Sequence, residues 1–305
     1  MHLMRLFKHA KLNKVQADTD ALPINEQLLA SLLVMAWVVE ARDPYTGGHL
    51  WRVARFSELL ARKAGLSTLE IAQVTIGGFM HDLGKVAIPD AVLNKRDRLT
   101  DDEYAVIKTH PEVGYRMLHA HPLAALVADA VRLHHETPDG KGYPQGLTGE
   151  QIPQMARIVG ICDAFDAMTS TRPYRIGMPQ EQALEIIAGN LGRQFDADLG
   201  ACFIALGEEN QLAHIIGHSD HGIPLQRCVM CGPTLVLRQS SQPNDHVYCR
   251  SCGADYQLDA SLLAVATGVR GDPGDLKPQA DEELIGRFVQ ETSRHILQAV
   301  ERSAR

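Results

Sequence analysis

Apolar residues recur at helical spacing through most of the chain, and proline, glycine and capping residues mark the breaks between them. INEQLLASLLVMAWVVEARD (24–43) carries apolar positions so densely that it predicts a mostly buried helix. Asp43-Pro44 closes it, because a residue before proline is driven out of the helical region. A second helix follows Thr46-Gly47-Gly48, with Leu50, Val53, Phe56, Leu59 and Leu60 on one stripe. Ser67 and Glu70 form a capping box that opens a third. It runs through LEIAQVTIGGFMHDLGK, so His81 and Asp82 fall near its C-terminal end. Shorter helical patterns follow at 89–93, after Thr100-Asp101, at 111–117 and at 122–135. TPDGKGYPQGLTGEQIP (137–153) reads as a loop, and 155–170, 180–191 and 197–206 are helical again.

Nowhere in this part is alternation sustained, so the expected fold is an all-α helical bundle. From 215 to 225 the composition shifts to Gly, His, Ser and Asp, and CVMCG, TLVLRQ and HVYCRSCGADYQL then suggest small strands. ATGVRGDPGDLKP reads as a linker, and 281–303 as an amphipathic helix built on Leu284, Ile285, Phe288, Ile296, Leu297 and Val300. The expected organisation is an arm at 1–23, a helical domain at 26–212, a β module at 225–262, a linker at 263–280 and a terminal helix at 281–303.

Bulk composition narrows the function. A formal charge of −7 and a pI near 6.0 argue against non-specific nucleic-acid binding, and aromatics at 5% argue against a base-stacking platform. The first twenty residues are basic in places but have no apolar core or cleavage site, and Leu28 to Val39 is too short to span a bilayer. A cytoplasmic protein without a transmembrane span is the expectation. Cys162 and Cys202 sit in apolar contexts as buried thiols.

The residues that need explaining are His49, His81-Asp82, His110, His134-His135 and Asp163. They fall at predicted helix ends, most steps spanning 28 to 32 residues, about one helical hairpin each. A bundle can bring them to one point, where imidazole and carboxylate suit Mn, Fe or Zn in a two-metal hydrolytic site. Taken singly, each is equally well read as a cap or a hydrogen-bonded core residue.

HDLGK (81–85) and HHETPDGKGYP (134–144) resemble the two signature motifs of the HD-GYP phosphodiesterases, a branch of the HD phosphohydrolase superfamily. YTGGHLWRV (45–53), KTHPEVG (108–114), ICDAFDAMTSTRPYR (161–175) and QFDADLG (194–200) extend the resemblance from about Ala30 to Leu206. The resemblance implies an HD-type helical bundle that hydrolyses cyclic di-GMP to pGpG or GMP with two divalent ions, Fe, Mn or similar. His81, Asp82, His110, His134, His135 and Asp163 become metal ligands, with Asp82 bridging. His49 matches an additional ligand of some members, whose partner glutamate four residues earlier is Tyr45 here. It is therefore expected to be weakly held, or to touch the ligands without joining them. Lys85, Arg172 and Arg175 match phosphate-contacting positions. Asp166 orients the attacking water or a metal ligand, or is structural. Tyr143 lines the substrate cleft or wedges the loop. The loop is also a docking surface for cyclic di-GMP-synthesising enzymes in the family, and a homodimer is compatible with the pattern. The competing readings are a hydrolase of another nucleotide phosphoester and a non-catalytic binding or scaffold protein.

Cys228-x2-Cys231 and Cys249-x2-Cys252, followed by Gly232 and Gly253, offer four thiolates from two matched turns. That is the donor set of one structural zinc, and the segment resembles a zinc ribbon. Its mixed charge favours protein contact over DNA.

Overall fold

The computed structural model describes residues 24–42, 47–95, 97–171, 175–277 and 279–303, without the side chains of 24, 25 and 295–303. The expected arm, Tyr45, Arg172 and the Ile296, Leu297 and Val300 side chains lie outside the described residues. Helix α1 (Ile24–Arg42) buries a single stripe, Leu29, Leu32, Leu33, Ala36 and Val39, while Met35 and Val38 are exposed. It is thus half-buried, less enclosed than its apolar density suggested. Helix α2 (His49–Lys63) buries Leu50, Val53, Phe56 and Leu60. Helix α3 (Thr68–Met80) opens on the expected Ser67–Glu70 capping box and ends with His81 as its C-cap. Gly78 lets α3 lie close on α2, since a Cβ there would sit 3.0 Å from the Ala54 Cα.

A 3-10 turn (Leu83–Ala87) leads to short helices α4 (Asp90–Leu93), α5 (Asp101–Ile107), α6 (His110–Leu118) and α7 (Ala128–Leu133). Helices α8 (Gln154–Thr169), α9 (Gln180–Ala188) and α10 (Ala197–Glu208) complete the bundle. Phe56, Phe165 and Phe203 interlock at its centre, ring centroids 4.9 to 6.2 Å apart, joining α2, α8 and α10.

The chain then forms hairpin β1 (His218–Asp220) with β2 (Ile223–Pro224), and hairpin β3 (Gln226–Cys228) with β4 (Gly232–Leu235). An antiparallel sheet follows, of β5 (His246–Tyr248), β6 (Ala254–Leu258) and β7 (Ala264–Arg270) in that order. Strand β7 corrects the expected linker at 263–280. Gly268 and Gly271 made the segment look like a spacer, yet Tyr256 pairs with Ala266 and Leu258 with Ala264. Most of β7 is exposed, so it carries no apolar alternation by which to be recognised.

The last helix, α11 (Glu282–Ser303), packs onto the bundle. Leu284, Ile285, Phe288 and Val289 join the bundle's core, and the Phe288 and Phe79 ring centroids lie 5.0 Å apart. Among the described residues no helix is long and apolar enough to cross a membrane.

Candidate metal centre

Helix termini deliver most of the constellation. His49 is the first residue of α2, His81 caps α3, His110 starts α6 and His134 follows α7. Asp163 differs from the expectation, for it projects from the middle of α8. Close packing makes the convergence feasible: a Cβ on Gly160 would lie 2.6 Å from the His134 carbonyl oxygen. A Cβ on Gly84 would lie 1.8 Å from the His110 carbonyl oxygen and 2.5 Å from the Gly114 nitrogen. Gly84→Ala must therefore push α6 away and carry His110 with it. Overpacking of this kind is expected to cost about 1–3 kcal/mol, read as a fall in the thermal midpoint together with weaker metal uptake. A midpoint and uptake equal to the parent's would contradict that packing.

Four of the five histidines are aimed by their second nitrogen. Nδ1 of His81 donates to the Gly78 carbonyl at 2.7 Å, His110 to Ile107 at 2.8 Å and His134 to Ala130 at 2.7 Å. His49 Nδ1 donates to Asp166 at 2.7 Å. With Nδ1 occupied, Nε2 is left as a bare acceptor, the tautomer that ligates a cation. His81 Nε2 is fully buried with no hydrogen-bond partner, and His110 Nε2 faces His134 Nε2 at 3.4 Å. Two buried lone pairs at that distance repel unless something positive lies between them.

The donors fall into sets around one carboxylate. Asp82 Oδ2 lies 3.4 Å from His81 Nε2 and 3.6 Å from His49 Nε2, while Oδ1 lies 3.4 Å from His110 Nε2. Asp163 Oδ1 is 3.5 Å from His49 and 3.7 Å from His81. Ligands about 2.1 Å from a shared ion stand roughly 3.0–3.5 Å apart, so these gaps fit the edges of a coordination shell. His49, His81 and Asp163 form one trio whose ligand atoms lie within 4.8 Å of one another, and His110, His134 and His135 form a second. His49 thus points into the centre on equal terms with His81, where the sequence suggested a peripheral place.

The charge pattern agrees with a cation site. Burial pushes His110 down to about 4 and His135 to about 3, and His134 well below its usual value, so all three are neutral. Burial would raise Asp82, but Lys85 and His81 more than offset it and hold the carboxyl well below the usual range. Burial opposes ionisation of Asp163 too, and His81 and His49 reverse it. Against its own burial, His81 is raised to about 10 by Asp82 and Asp163. The two carboxylates thus favour positive charge beside the His81 ring.

The centre opens on a cavity of about 450 Å³ lined by Lys85, Tyr104, His135, Tyr143, Arg157 and Gln194 among others. Lys85 Nζ pairs with Asp82 Oδ2 at 2.6 Å. Tyr143 stacks on His135 with centroids 4.7 Å apart, and so belongs to the cavity wall. Glu136 and Asp139 stay out of the cluster and fold the loop instead. Glu136 accepts from the Gln145 and Leu147 amides at 2.6 and 2.9 Å, and Asp139 from Thr137 Oγ1 at 2.7 Å. Gly142 is required where the loop crosses the His135–Thr137 backbone, since a Cβ would lie 2.4 Å from the Thr137 nitrogen. Arg175 is exposed, donates to the Ala167 carbonyl and does not line the cavity.

Two residues carry weight that sequence reasoning missed. Arg52, 1% exposed, grips Asp166 through Nε at 2.5 Å and Nη2 at 3.0 Å, and Asp166 in turn holds His49. Asp166 therefore acts through His49. The available signal was an arginine on an apolar stripe, three positions after a histidine. Glu40 accepts from the Leu50 amide at 3.3 Å beside the same histidine.

The four cysteines also meet, their sulfurs within 4.8 Å of one another. Tyr256 donates to Cys228 Sγ at 3.3 Å and, outweighing the effect of burial, helps bring that thiol down to about 7. Thr234 Oγ1 lies 3.3 Å from Cys249 Sγ. Four sulfurs in one tetrad with hydrogen-bonded flanks suit a tetrahedral thiolate site.

A helical protein whose helix ends focus histidines and aspartates on one cation-seeking point is the class defined by this fold and centre. The chain belongs to the HD domain family, whose profile matches residues 33–199, and by its HDLGK and GYP motifs to the HD-GYP branch. It is 40% identical over 192 residues to the cyclic di-GMP phosphodiesterase response regulator RpfG of Xanthomonas campestris, covering 58% of this chain and 50% of the relative. A cyclic di-GMP phosphodiesterase of Pseudomonas aeruginosa is 34% identical over 209 residues, 66% of this chain and 50% of its own. A 3'3'-cGAMP-specific phosphodiesterase of Vibrio cholerae is 34% identical over 186 residues, 61% of this chain and 40% of its own. The chain spans about half the length, or less, of these relatives.

Proposed function

We propose that the protein hydrolyses the phosphodiester bonds of cyclic di-GMP, to pGpG and/or GMP, at a centre of two divalent ions. His49, His81, Asp82, His110, His134, His135 and Asp163 would hold them. Asp82 carries the reading: its two oxygens face separate histidine sets at 3.4 Å each, as a carboxylate shared by two ions requires. Fe, Mn or a similar ion suits this imidazole and carboxylate set. When bound, such ions supply Lewis acidity toward phosphoryl oxygens and lower the pKa of water between them.

The chain's own residues orient the substrate. Lys85 brings a cation to the cavity edge, where a phosphate oxygen can take the place of Asp82 as its partner. Tyr143, stacked on His135, offers a flat face to a base. Arg175, and Arg172 outside the described residues, keep the phosphate-contacting role that the motif resemblance implies, for which Arg175 would have to release the Ala167 carbonyl. Asp166 keeps Nδ1 of His49 protonated and Nε2 free. We assign one structural zinc to the four cysteines, whose reduced pairs also suit a cytoplasmic setting. The GYP loop, with Lys141 84% exposed at its side chain, and the cysteine module are the surfaces assigned to protein partners such as cyclic di-GMP-synthesising enzymes.

Similarity to a 3'3'-cGAMP-specific enzyme supports a second reading, in which one base of the substrate is adenine. The deciding assay incubates protein loaded anaerobically with Fe(II), or with Mn(II), with each dinucleotide and resolves products by liquid chromatography. Faster conversion of cyclic di-GMP is expected. Conversion of 3'3'-cGAMP alone would select the second reading, and no product from either with ions bound would overturn the hydrolase.

A further inference from the structure

The residues that hold His49 are themselves held by chain beyond the family-matched segment 33–199. Helix α2 starts from Gly48, whose φ is 74° and which has no side chain to cap the free amides. The Glu40 carboxylate reaches from α1 to take that place, accepting from the Leu50 amide at 3.3 Å. A negative group there also suits the positive end of the helix.

Three contacts converge on this turn from the C-terminal module, the chain from β1 onward: two from β1 and one from the segment after β4. A Cβ on Gly48 would lie 2.4 Å from the Ser219 Cα, and one on Gly47 2.5 Å from Val236 Cγ2, so the turn is pressed against β1 and the segment after β4. Arg52 Nη1 donates to the His218 carbonyl at 2.9 Å as well as to Gly47 at 2.8 Å. Arg250, between Cys249 and Cys252, lies over the Trp37 ring at 5.4 Å and adds a further positive charge near Glu40, after the larger effects of His49 and Arg52. Glu40, Gly48, Ser219 and Arg250 line one cavity of about 60 Å³, and Glu40, His49, Asp82 and Lys85 line another. Glu40 is thus part of the wall between the cysteine module and the metal centre.

We propose that the C-terminal module is a positioning device for His49, with Arg250 as its positioning residue. Closure of the four-cysteine turn then sets the affinity of the His49–His81–Asp163 half-site for its ion. This rests on the reading of the histidine–aspartate cluster as a metal centre. An ion at the cysteines clips the Cys249–Cys252 turn and keeps Arg250 on Trp37 beside Glu40. Without it, one of the charges that hold Glu40 is no longer fixed, the N-terminus of α2 loosens, and His49 at its first position moves. The other half-site is supplied by α6 and the end of α7, on which none of these three contacts falls. The effect is therefore selective for one ion of the two.

The test titrates Mn(II) into full-length protein, with free Mn(II) followed by electron paramagnetic resonance and bound metal counted by mass spectrometry. The parent is expected to bind two Mn(II). Arg250→Ala should weaken one of them by about 10- to 100-fold, the range for residues that orient metal ligands, and leave the other unchanged. Arg250→Lys, which keeps the charge, should retain most of the affinity, and Arg227→Ala, an exposed arginine of the same module, all of it. Parent-like binding of both ions by Arg250→Ala, or equal weakening by Arg227→Ala, would overturn the positioning role. A parent protein that binds no Mn(II) would overturn the metal-centre reading itself, and the coupling with it.

Discussion

Asp82→Ala is expected to abolish binding of both catalytic ions and to lower turnover of cyclic di-GMP by roughly a thousandfold or more, while helical content stays near the parent value. The size follows from what is lost. A metal centre supplies several kcal/mol of charge stabilisation, and each 1.4 kcal/mol is about tenfold in rate. Among the described residues, Asp82 is the one carboxylate whose separate oxygens stand 3.4 Å from His81 and from His110, so none of the others spans both sets. The substitution also removes the carboxylate that Lys85 holds at 2.6 Å. His81→Ala should be milder in metal content, since His49 and Asp163 stay. Metal analysis and product chromatography on the same preparation check both, and full occupancy with parent-like turnover in Asp82→Ala would sink the two-ion centre.

Arg52→Ala should destabilise the fold by about 3–5 kcal/mol, the cost of leaving one member of a buried ion pair without the other. Arg52 is fully engaged: Asp166 at 2.5 and 3.0 Å, Ser170 Oγ at 3.2 Å, and the carbonyls of Gly47 and His218. Arg52→Lys should recover little, because an ammonium cannot reproduce a planar fork with donors on three sides. An apolar double variant, Arg52→Met with Asp166→Leu, removes both charges and should regain much of the stability. It should not regain activity, because His49 loses the acceptor that fixes its tautomer. Urea unfolding reads the first effect as a shifted midpoint at constant slope. A loss below about 1 kcal/mol in Arg52→Ala would mean that Asp166 finds other partners.

The centre was largely legible from sequence because its ligands sit in dense local motifs, and because three of the four aiming bonds are made within one helical turn of the histidine. His81 finds Gly78, His110 finds Ile107 and His134 finds Ala130, so the aim travels with the motif. What was not legible depends on distant chain. The bond from His49 to Asp166 spans 117 positions, and Arg52 reaches the His218 carbonyl across 166. No local pattern reports such pairings, which is why His49 was expected at the margin and Arg52 passed unnoticed. Strand β7 was hidden for another reason. Its residues are mostly exposed, so backbone pairing alone defines it, and Gly268 within it resembles punctuation. The loop acids Glu136 and Asp139 stood beside the histidines in sequence, but their carboxylates are spent on loop amides and a threonine hydroxyl.

Ser293 Oγ donates to Glu26 at 2.9 Å across 267 positions, and Phe288 lies against Phe79 where α11 enters the core. The bundle is therefore closed by its most sequence-distant partners, and the entropy of that closure must be met before those contacts return free energy. A growing chain on the ribosome has made HDLGK and the GYP histidines long before it makes the helix that packs on Phe79, two positions before His81. The end of α3 that carries His81 therefore gains this packing only after every residue of the histidine–aspartate cluster has been synthesised.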